Sequence, residues 1–158
     1  MRGHLREGRA RLAGLLAVAP AESTATRAKA LSTAAYLSQD RVTLGAGVGW
    51  QKAEFDMAGQ DFHTRGKRTD EMLEIIPRLL SGDLTEYHGT FYDIPPVKMS
   101  PGTSKPLPIM IGGYAPAAMR RAARFDGWMA TSHEEHEVYP LLETLQRIRE
   151  EEGLTPKS

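Results

Sequence analysis

Residues 108–131 read Pro108-Ile-Met-Ile-Gly-Gly-Tyr-Ala-Pro-Ala-Ala-Met-Arg-Arg-Ala-Ala-Arg-Phe-Asp-Gly-Trp-Met-Ala-Thr131. The run from Pro108 to Ile111 is short, apolar and closed by Gly112-Gly113. That length suits a buried strand and is too short for a helix. Pro116 fits the first turn of a helix, where its missing N–H is no loss, and the helix should reach about Phe125. Gly127 to Thr131 reads as a second strand. Strand, helix and strand in so few residues predict parallel neighbours joined by a crossover helix.

The alternation continues outward in both directions. Upstream, Leu12 to Ala19 reads as a short buried strand, and Ser23 can cap a helix from about Thr24 to Ser38 with Ala28, Leu31 and Ala35 on one face. Arg41 to Gly47 alternates Val42, Leu44 and Ala46 with smaller residues, the pattern of a strand. Arg68 to Leu80 has helical spacing through Met72, Ile75, Ile76 and Leu79, with Gly82 as its stop and a kink expected at Pro77. Leu84 to Asp93 predicts a hairpin turning at His88-Gly89-Thr90. Ile94 to Leu107 holds Pro95, Pro96, Pro101 and Pro106 without periodicity and reads as a long loop. Downstream, Ser132 and Glu135 make a capping box for a last helix with the stripe Val138, Leu141, Leu142, Leu145 and Ile148, ended by Gly153. The order β-α-β-α-(hairpin, loop)-β-α-β-α predicts an α/β fold with a parallel sheet, a partial (β/α)8 barrel of about four βα units. Residues 12–153 would form that domain, between an N-terminal extension (1–11) and a C-terminal tail (154–158).

Composition narrows the class. The 158 residues carry 20 basic and 20 acidic side chains, a formal net charge of +0 and no Cys. Zero net charge removes the attraction behind non-specific nucleic-acid binding. Without Cys there is no disulfide framework and no thiol nucleophile. The longest apolar stretch, Leu12 to Ala19, is too short to span a bilayer. Arg2, Arg6, Arg9 and Arg11 before it, with Ala17-Val-Ala19, also give it the outline of a secretory signal, although Glu7 interrupts the basic region. The buried strand is the preferred reading, and a cytoplasmic protein is expected.

Three segments could carry chemistry. In parallel α/β folds ligands bind beyond the carboxyl ends of the strands. Gly45-Ala-Gly47-Val-Gly49-Trp50 lies at such an end. It fails as a dinucleotide fingerprint, because Trp50 occupies the third small position. Two readings stand: a strand end needing unusual backbone angles, or bare backbone leaving room for a flat ring with Trp50 in the wall. Gly112-Gly113-Tyr114-Ala115-Pro116 leads into a helix, and N–H groups there can hold an anion such as a phosphate, although paired glycines are also a common turn. Arg65 and Arg68 could bind an anionic group and His63 could move a proton near neutral pH, against the plainer reading of a solvated helix start paired with Asp70, Glu71 and Glu74. His133-Glu-Glu-His136 spaces its histidines three apart, not the four of the zinc-protease helix, and no metal site is expected.

Taken in order, Ala28-Lys-Ala-Leu31, Leu37-Ser38, Arg41-Val-Thr-Leu-Gly-Ala-Gly-Val-Gly-Trp50, Glu54-Phe55, Gly59, Phe62, Arg65-Gly66, Arg68-Thr-Asp-Glu71 and His88-Gly-Thr-Phe-Tyr92 resemble the luciferase-like flavin monooxygenases. Pro106-Leu-Pro-Ile-Met-Ile-Gly-Gly113, Ala117 to Arg124 and Asp126-Gly-Trp128 continue that order. The likeness is greatest to the branch using a 5-deazaflavin coenzyme. It implies strands three to six of the family barrel, with no counterpart of the first two or last two. It also implies a cofactor, 5-deazaflavin (coenzyme F-420) or FMN, at the C-terminal mouth. By position, Val48, Gly49 and Trp50 would lie along the ring, and Gly112, Gly113, Ala115 and Pro116 would cradle the phosphate. His63 and Arg65 fall in the segment facing the active site in sulfonate-oxidising relatives and would be the catalytic side chains. The activity implied is a flavin- or deazaflavin-dependent oxidoreductase acting on a small organic substrate. The alternative is a non-catalytic flavin-binding or interaction remnant. Four strands cannot close a barrel, so association through exposed sheet edges, as a homo-oligomer or with a complementary half, is expected.

Overall fold

The computed structural model describes residues 23–39, 41–130 and 134–154. The strand expected at 12–19 lies outside them, as do Thr131, Ser132 and His133. The chain divides into two compact units, one of Met1–Val42 with Val48–Leu107 and one of Thr43–Gly47 with Pro108–Ser158.

The second unit holds a three-stranded parallel sheet. Strand β1 (Leu44–Ala46) pairs with β4 (Ile109–Gly112), and β4 with β5 (Gly127–Met129). Both end strands are shorter than the sequence pattern suggested. Alternation along the pleat puts Leu44, Ile109 and Ile111 on one face, where each is at most 5% exposed. Helix α4 (Pro116–Arg124) contributes buried Ala118, Met119, Ala122 and Ala123. Helix α5 (Glu135–Glu151) contributes Leu145 and Ile148. Fully burying each Leu, Ile or Met side chain among these is worth about 1.5–3 kcal/mol, and each Ala less, which is why so small a sheet is held. The opposite face carries Gly45, Met110, Gly112, Gly127 and Met129. A Cβ on Gly127 would meet the Met110 side chain at 2.8 Å, and one on Gly45 would meet Met129 at 3.0 Å. Small residues there make room for the two methionines.

Two side chains close the strand and helix ends. Asp126 brackets the start of β4, its carboxylate accepting from the Ile109 N–H while its own N–H donates to the Ile109 carbonyl. Arg149 donates to the carbonyls of Ala123 and Phe125, satisfying the orphan acceptors at the α4 C-terminus. The last helix is capped differently from the expectation. Glu134 is the N-cap, and the capping box is Glu134 with Glu137, rather than Ser132 with Glu135. A carboxylate suits the positive helix end as well as a hydroxyl does. Leu142 of the expected stripe is 44% exposed, and Gly153, at φ 65°, ends the turn as expected.

The first unit is built on helices α1 (Ser23–Leu37) and α3 (Arg65–Leu80), which pack on each other. Helix α1 buries Leu31, Ser32 and Ala35; α3 buries Thr69, Leu73, Ile75, Ile76, Leu79 and Leu80. The α3 positions follow the three- and four-residue spacing of an apolar stripe. The helix begins three residues before the expected start and continues unbroken through Pro77. Gly82, at φ 79°, follows its C-cap as the sequence predicted. Two elements were not foreseen: the short helix α2 (Lys52–Met57) and a 3-10 turn at Phe62–Thr64.

The excursion needs one correction. Strands β2 (Leu84–His88) and β3 (Asp93–Lys98) form the expected antiparallel hairpin, but β3 extends through Pro95-Pro96, which the sequence pattern assigns to a loop. The register explains it. Tyr87 faces Ile94 and Thr85 faces Val97, so Glu86 alone stands opposite the two prolines. The prolines occupy a bulge in a two-stranded ribbon, where their missing N–H groups interrupt no ladder bond.

Candidate functional site

Within the second unit, β1 and β4 run parallel with Ala46 beside Ile111, so Gly47 and Gly112-Gly113 leave the sheet at the same carboxyl edge. Among the described residues beyond its chain neighbours, none has an atom within 4 Å of the position a Gly47 Cβ would take. Gly113 makes the turn from β4 into α4 at φ 102°, a conformation side chains rarely adopt, and its Cβ would sit 3.2 Å from that of Ala118. The Trp128 indole N–H donates to the Gly113 carbonyl at 2.7 Å. In a trans peptide the following N–H points the opposite way. The Tyr114 N–H is therefore directed away from Trp128.

Helix α4 starts immediately afterwards. Its N-cap Ala115 has no side-chain acceptor, and Pro116 at the first position has no N–H. The N-cap residue therefore supplies no side-chain cap, and the helix start carries the partial positive charge that favours an anion. Gly112 and Gly113 are half-buried, while Ala115 and Pro116 are exposed. A cleft between α4 and α5, with Tyr114, Pro116, Arg120, Thr144 and Arg147 in its lining, opens beside this turn.

Within the first unit, Val48 and Gly49 are half-buried and Trp50 is 79% exposed. Gly49 has φ 78°, and a Cβ on it would meet the Phe55 ring at 2.9 Å. Phe55 stands edge-on to Phe62, with ring centroids 5.3 Å apart. The Arg65 guanidinium lies over the Phe62 ring at 3.7 Å, and its Nε donates to the Gly49 carbonyl at 3.2 Å. Arg65 also donates to the Phe62 carbonyl through Nη1. His63 is exposed; its ring stands edge-on to Phe62, and its backbone N–H donates to the Asp61 carboxylate at 2.9 Å. The structure thus joins Gly49, His63 and Arg65 through one aromatic cluster. Gly112, Gly113, Ala115 and Pro116 share the β4–α4 turn.

Sequence reasoning missed the roles of Phe55, Phe62 and Trp128, although all three stood in the motif segments. One signal was available. Phe62 and Arg65 are three apart, the spacing that stacks side chains on one face of a helical turn. Arg68, proposed with Arg65 as an anion holder, is half-buried, two positions from the Asp70-Glu71 pair. Among the described residues no group of three or more metal-ligating side chains converges. No described helix is long and apolar enough to cross a membrane.

The chain matches the family described as luciferase-like monooxygenase over residues 11–158. An uncharacterized protein of Mycobacterium tuberculosis is 44% identical over 136 residues, covering 86% of this chain and 47% of that protein. An F420-dependent glucose-6-phosphate dehydrogenase of Amycolatopsis mediterranei is 30% identical over 116 residues, covering 71% of this chain and 35% of that enzyme. The crystal structure of monooxygenase RslO1 from Streptomyces bottropensis superposes with a TM-score of 0.74 at 25% identity, covering 89% of this chain and 45% of that one. The chain therefore spans about half the length of the relatives it matches, or less. Its parallel α/β architecture is the one those barrels share over the matched part. On the match that runs from residue 11 to residue 158, the chain belongs to the luciferase-like monooxygenase family.

Proposed function

We propose that this chain carries the cofactor-holding part of a flavin- or deazaflavin-dependent oxidoreductase acting on a small organic substrate. The observation that carries the reading is the β4–α4 turn: Gly113 at φ 102°, its carbonyl fixed by Trp128, before a helix whose first turn lacks a side-chain cap. Gly112, Gly113, Ala115 and Pro116 suit the phosphate of either cofactor: the first three offer backbone N–H groups without a large side chain, and Pro116, which has no N–H, opens the helix whose end supplies positive potential. Val48, Gly49 and Trp50 continue directly from Gly47, and we assign them to the ring. When bound, the ring exchanges hydride or electrons with the substrate. The similarity to an F420-dependent dehydrogenase favours the deazaflavin. Trp50 stands where sugar-phosphate dehydrogenases of the family place an acidic base, so a sugar phosphate is disfavoured as substrate.

His63 offers an exposed imidazole beside the aromatic cluster, and we assign it the handling of a proton. Arg65 supplies the fixed cation of the same cluster. Association through sheet edges, which among the described residues are β1 and β5, belongs to the same reading.

The test is a titration of the purified chain with coenzyme F420 and with FMN, followed by absorbance and fluorescence. Saturable binding with a perturbed band is expected, weakened when phosphate-free riboflavin replaces FMN. Equal binding of FMN and riboflavin would remove the phosphate assignment, and no binding of any of the three would overturn the proposal.

A further inference from the structure

Gly49, Phe55, Phe62 and Arg65 form a closed circuit. The Phe55 ring occupies the space beside the Gly49 α-carbon, 2.9 Å from where a Cβ would stand. Phe55 meets Phe62 edge to face with planes 83° apart. The guanidinium covers Phe62 and returns to the Gly49 carbonyl. Each member is in contact with the next, and the last with the first.

Arg65 is the member that touches backbone. Its fork reaches two carbonyls, Gly49 through Nε and Phe62 through Nη1, a geometry a single ammonium cannot reproduce. Fixing the Gly49 carbonyl fixes the whole planar peptide to Trp50 and directs the Trp50 N–H to the side opposite the guanidinium. The face of the guanidinium is already stacked on an aromatic ring, and two of its donors are engaged.

We infer that Arg65 is a positioning residue: it acts through the Gly49–Trp50 peptide, holding the Trp50 N–H as a donor toward the bound ring, rather than by touching the substrate. The inference rests on the flavin reading above and deepens it. It accounts for glycine at 49, for phenylalanines at 55 and 62, and for arginine rather than lysine at 65 with one arrangement.

The test compares Arg65→Lys, Arg65→Met and Phe62→Leu, each checked for folding by circular dichroism. Two readouts are used: the backbone amide signals of Gly49 and Trp50 in the cofactor-free chain by nuclear magnetic resonance, and the affinity and absorption band of bound cofactor. A positioning role predicts that both Arg65 variants move the Gly49 and Trp50 amides and weaken cofactor binding by about tenfold, the scale of one charge-assisted hydrogen bond. Lysine should not rescue. Phe62→Leu, which leaves Arg65 in place but removes the ring beneath it, should shift the same amides in the same direction. Gly49→Ala should reproduce the spectral change, and adding Phe55→Leu should partly reverse it.

Overturning results are equally specific. Unmoved amides in Arg65→Lys and Arg65→Met refute the positioning role, whether or not cofactor binds. So would an Arg65→Lys variant with native cofactor affinity and band but a raised KM, because that places the charge against the substrate. If the unaltered chain binds no flavin while the amides still move, the circuit stands as a brace of the backbone, but a donor role toward the ring fails with the functional reading. Should Arg65→Met not fold, Phe62→Leu and Arg65→Lys decide the matter alone.

Discussion

Gly49 and Gly113 use the same three devices and differ in one. Both have a positive φ, 78° and 102°. Both have the carbonyl taken by a side-chain N–H, from Arg65 at 3.2 Å and from Trp128 at 2.7 Å. Both have the Cβ position obstructed. At Gly49 the obstruction is the far edge of a phenylalanine ring, which can rotate or slide; at Gly113 it is the Cβ of Ala118, fixed to a helix. The lesson is that a held peptide plane can rest on adjustable side chains or on rigid backbone. The first tolerates small changes and the second does not. The segment assigned to the ring is of the first kind, and the turn assigned to the phosphate is of the second.

This contrast can be broken directly. Gly113→Ala puts an L side chain at φ 102° against an immovable neighbour, and strain at such a site costs about 1–3 kcal/mol. We expect it to lower the urea midpoint clearly and to cost more cofactor affinity than Gly49→Ala, where the strain at φ 78° remains but the Phe55 ring can move off the added Cβ. Equilibrium unfolding and flavin titration on the two variants check the order. Equal losses, or a greater loss at Gly49, would show that the distinction between rigid and adjustable obstruction is mistaken.

Much of this was legible in the sequence because it is local. The strand–turn–helix of 108–124 is written in an apolar run, two glycines and a proline, and β4 and α4 fall where that pattern puts them. Gly82 and Gly153 were placed correctly as helix stops for the same reason. What escaped depends on register or distance. Pro95-Pro96 looks like loop until the opposing strand shows that a bulge receives them. The capping box slipped by two residues because Ser132, Glu134, Glu135 and Glu137 offer overlapping capping patterns, and the helix start decides between them. Among the site residues, the identity of Gly49 and Arg65 was read but not their joining, since sixteen residues separate donor and acceptor and no periodicity links them.

Helix α3 holds a second loop in the manner that Arg65 holds Gly49, which sharpens the contrast between clamps. The Glu71 carboxylate accepts N–H bonds from Thr90 at 2.8 Å, Phe91 at 3.0 Å and Tyr92 at 3.1 Å, gathering the hairpin turn around one anion. A Cβ on Gly89 would lie 2.5 Å from that carboxylate, so the glycine admits it. Glu71→Ala would strand three donors, one of them on Tyr92, which is only 4% exposed. A loss of about 1–3 kcal/mol is expected, with faster hydrogen exchange confined to 90–92. Glu71→Gln keeps a carbonyl acceptor and should lose less. A uniform rise in exchange across α3 as well would mean that the carboxylate supports the helix rather than the turn.

The same hairpin carries a clamp on its exposed side, and it should be the weakest of the three. The His88 imidazole pairs with Glu86 through Nε2 at 2.9 Å and with the Asp93 carboxylate through Nδ1. The hydrogen bond to Glu86, then that to Asp93, raises its pKa above the ordinary imidazole value. Because the folded pKa is raised, the contribution is complete at pH below the ordinary value and fades as pH climbs through the raised one. The hairpin should therefore loosen slightly on the alkaline side, not the acid side, of the histidine titration. Solvent screening keeps the effect small, since the ring is 64% exposed. A proton-detected titration of the His88 ring should give a pKa above that of an unstructured peptide, and Glu86→Gln should bring it back toward that value. Rising salt should narrow the difference, whereas the Arg65 and Glu71 clamps, being half-buried, should respond much less. Equal salt sensitivity in all three would mean that burial is not what separates them.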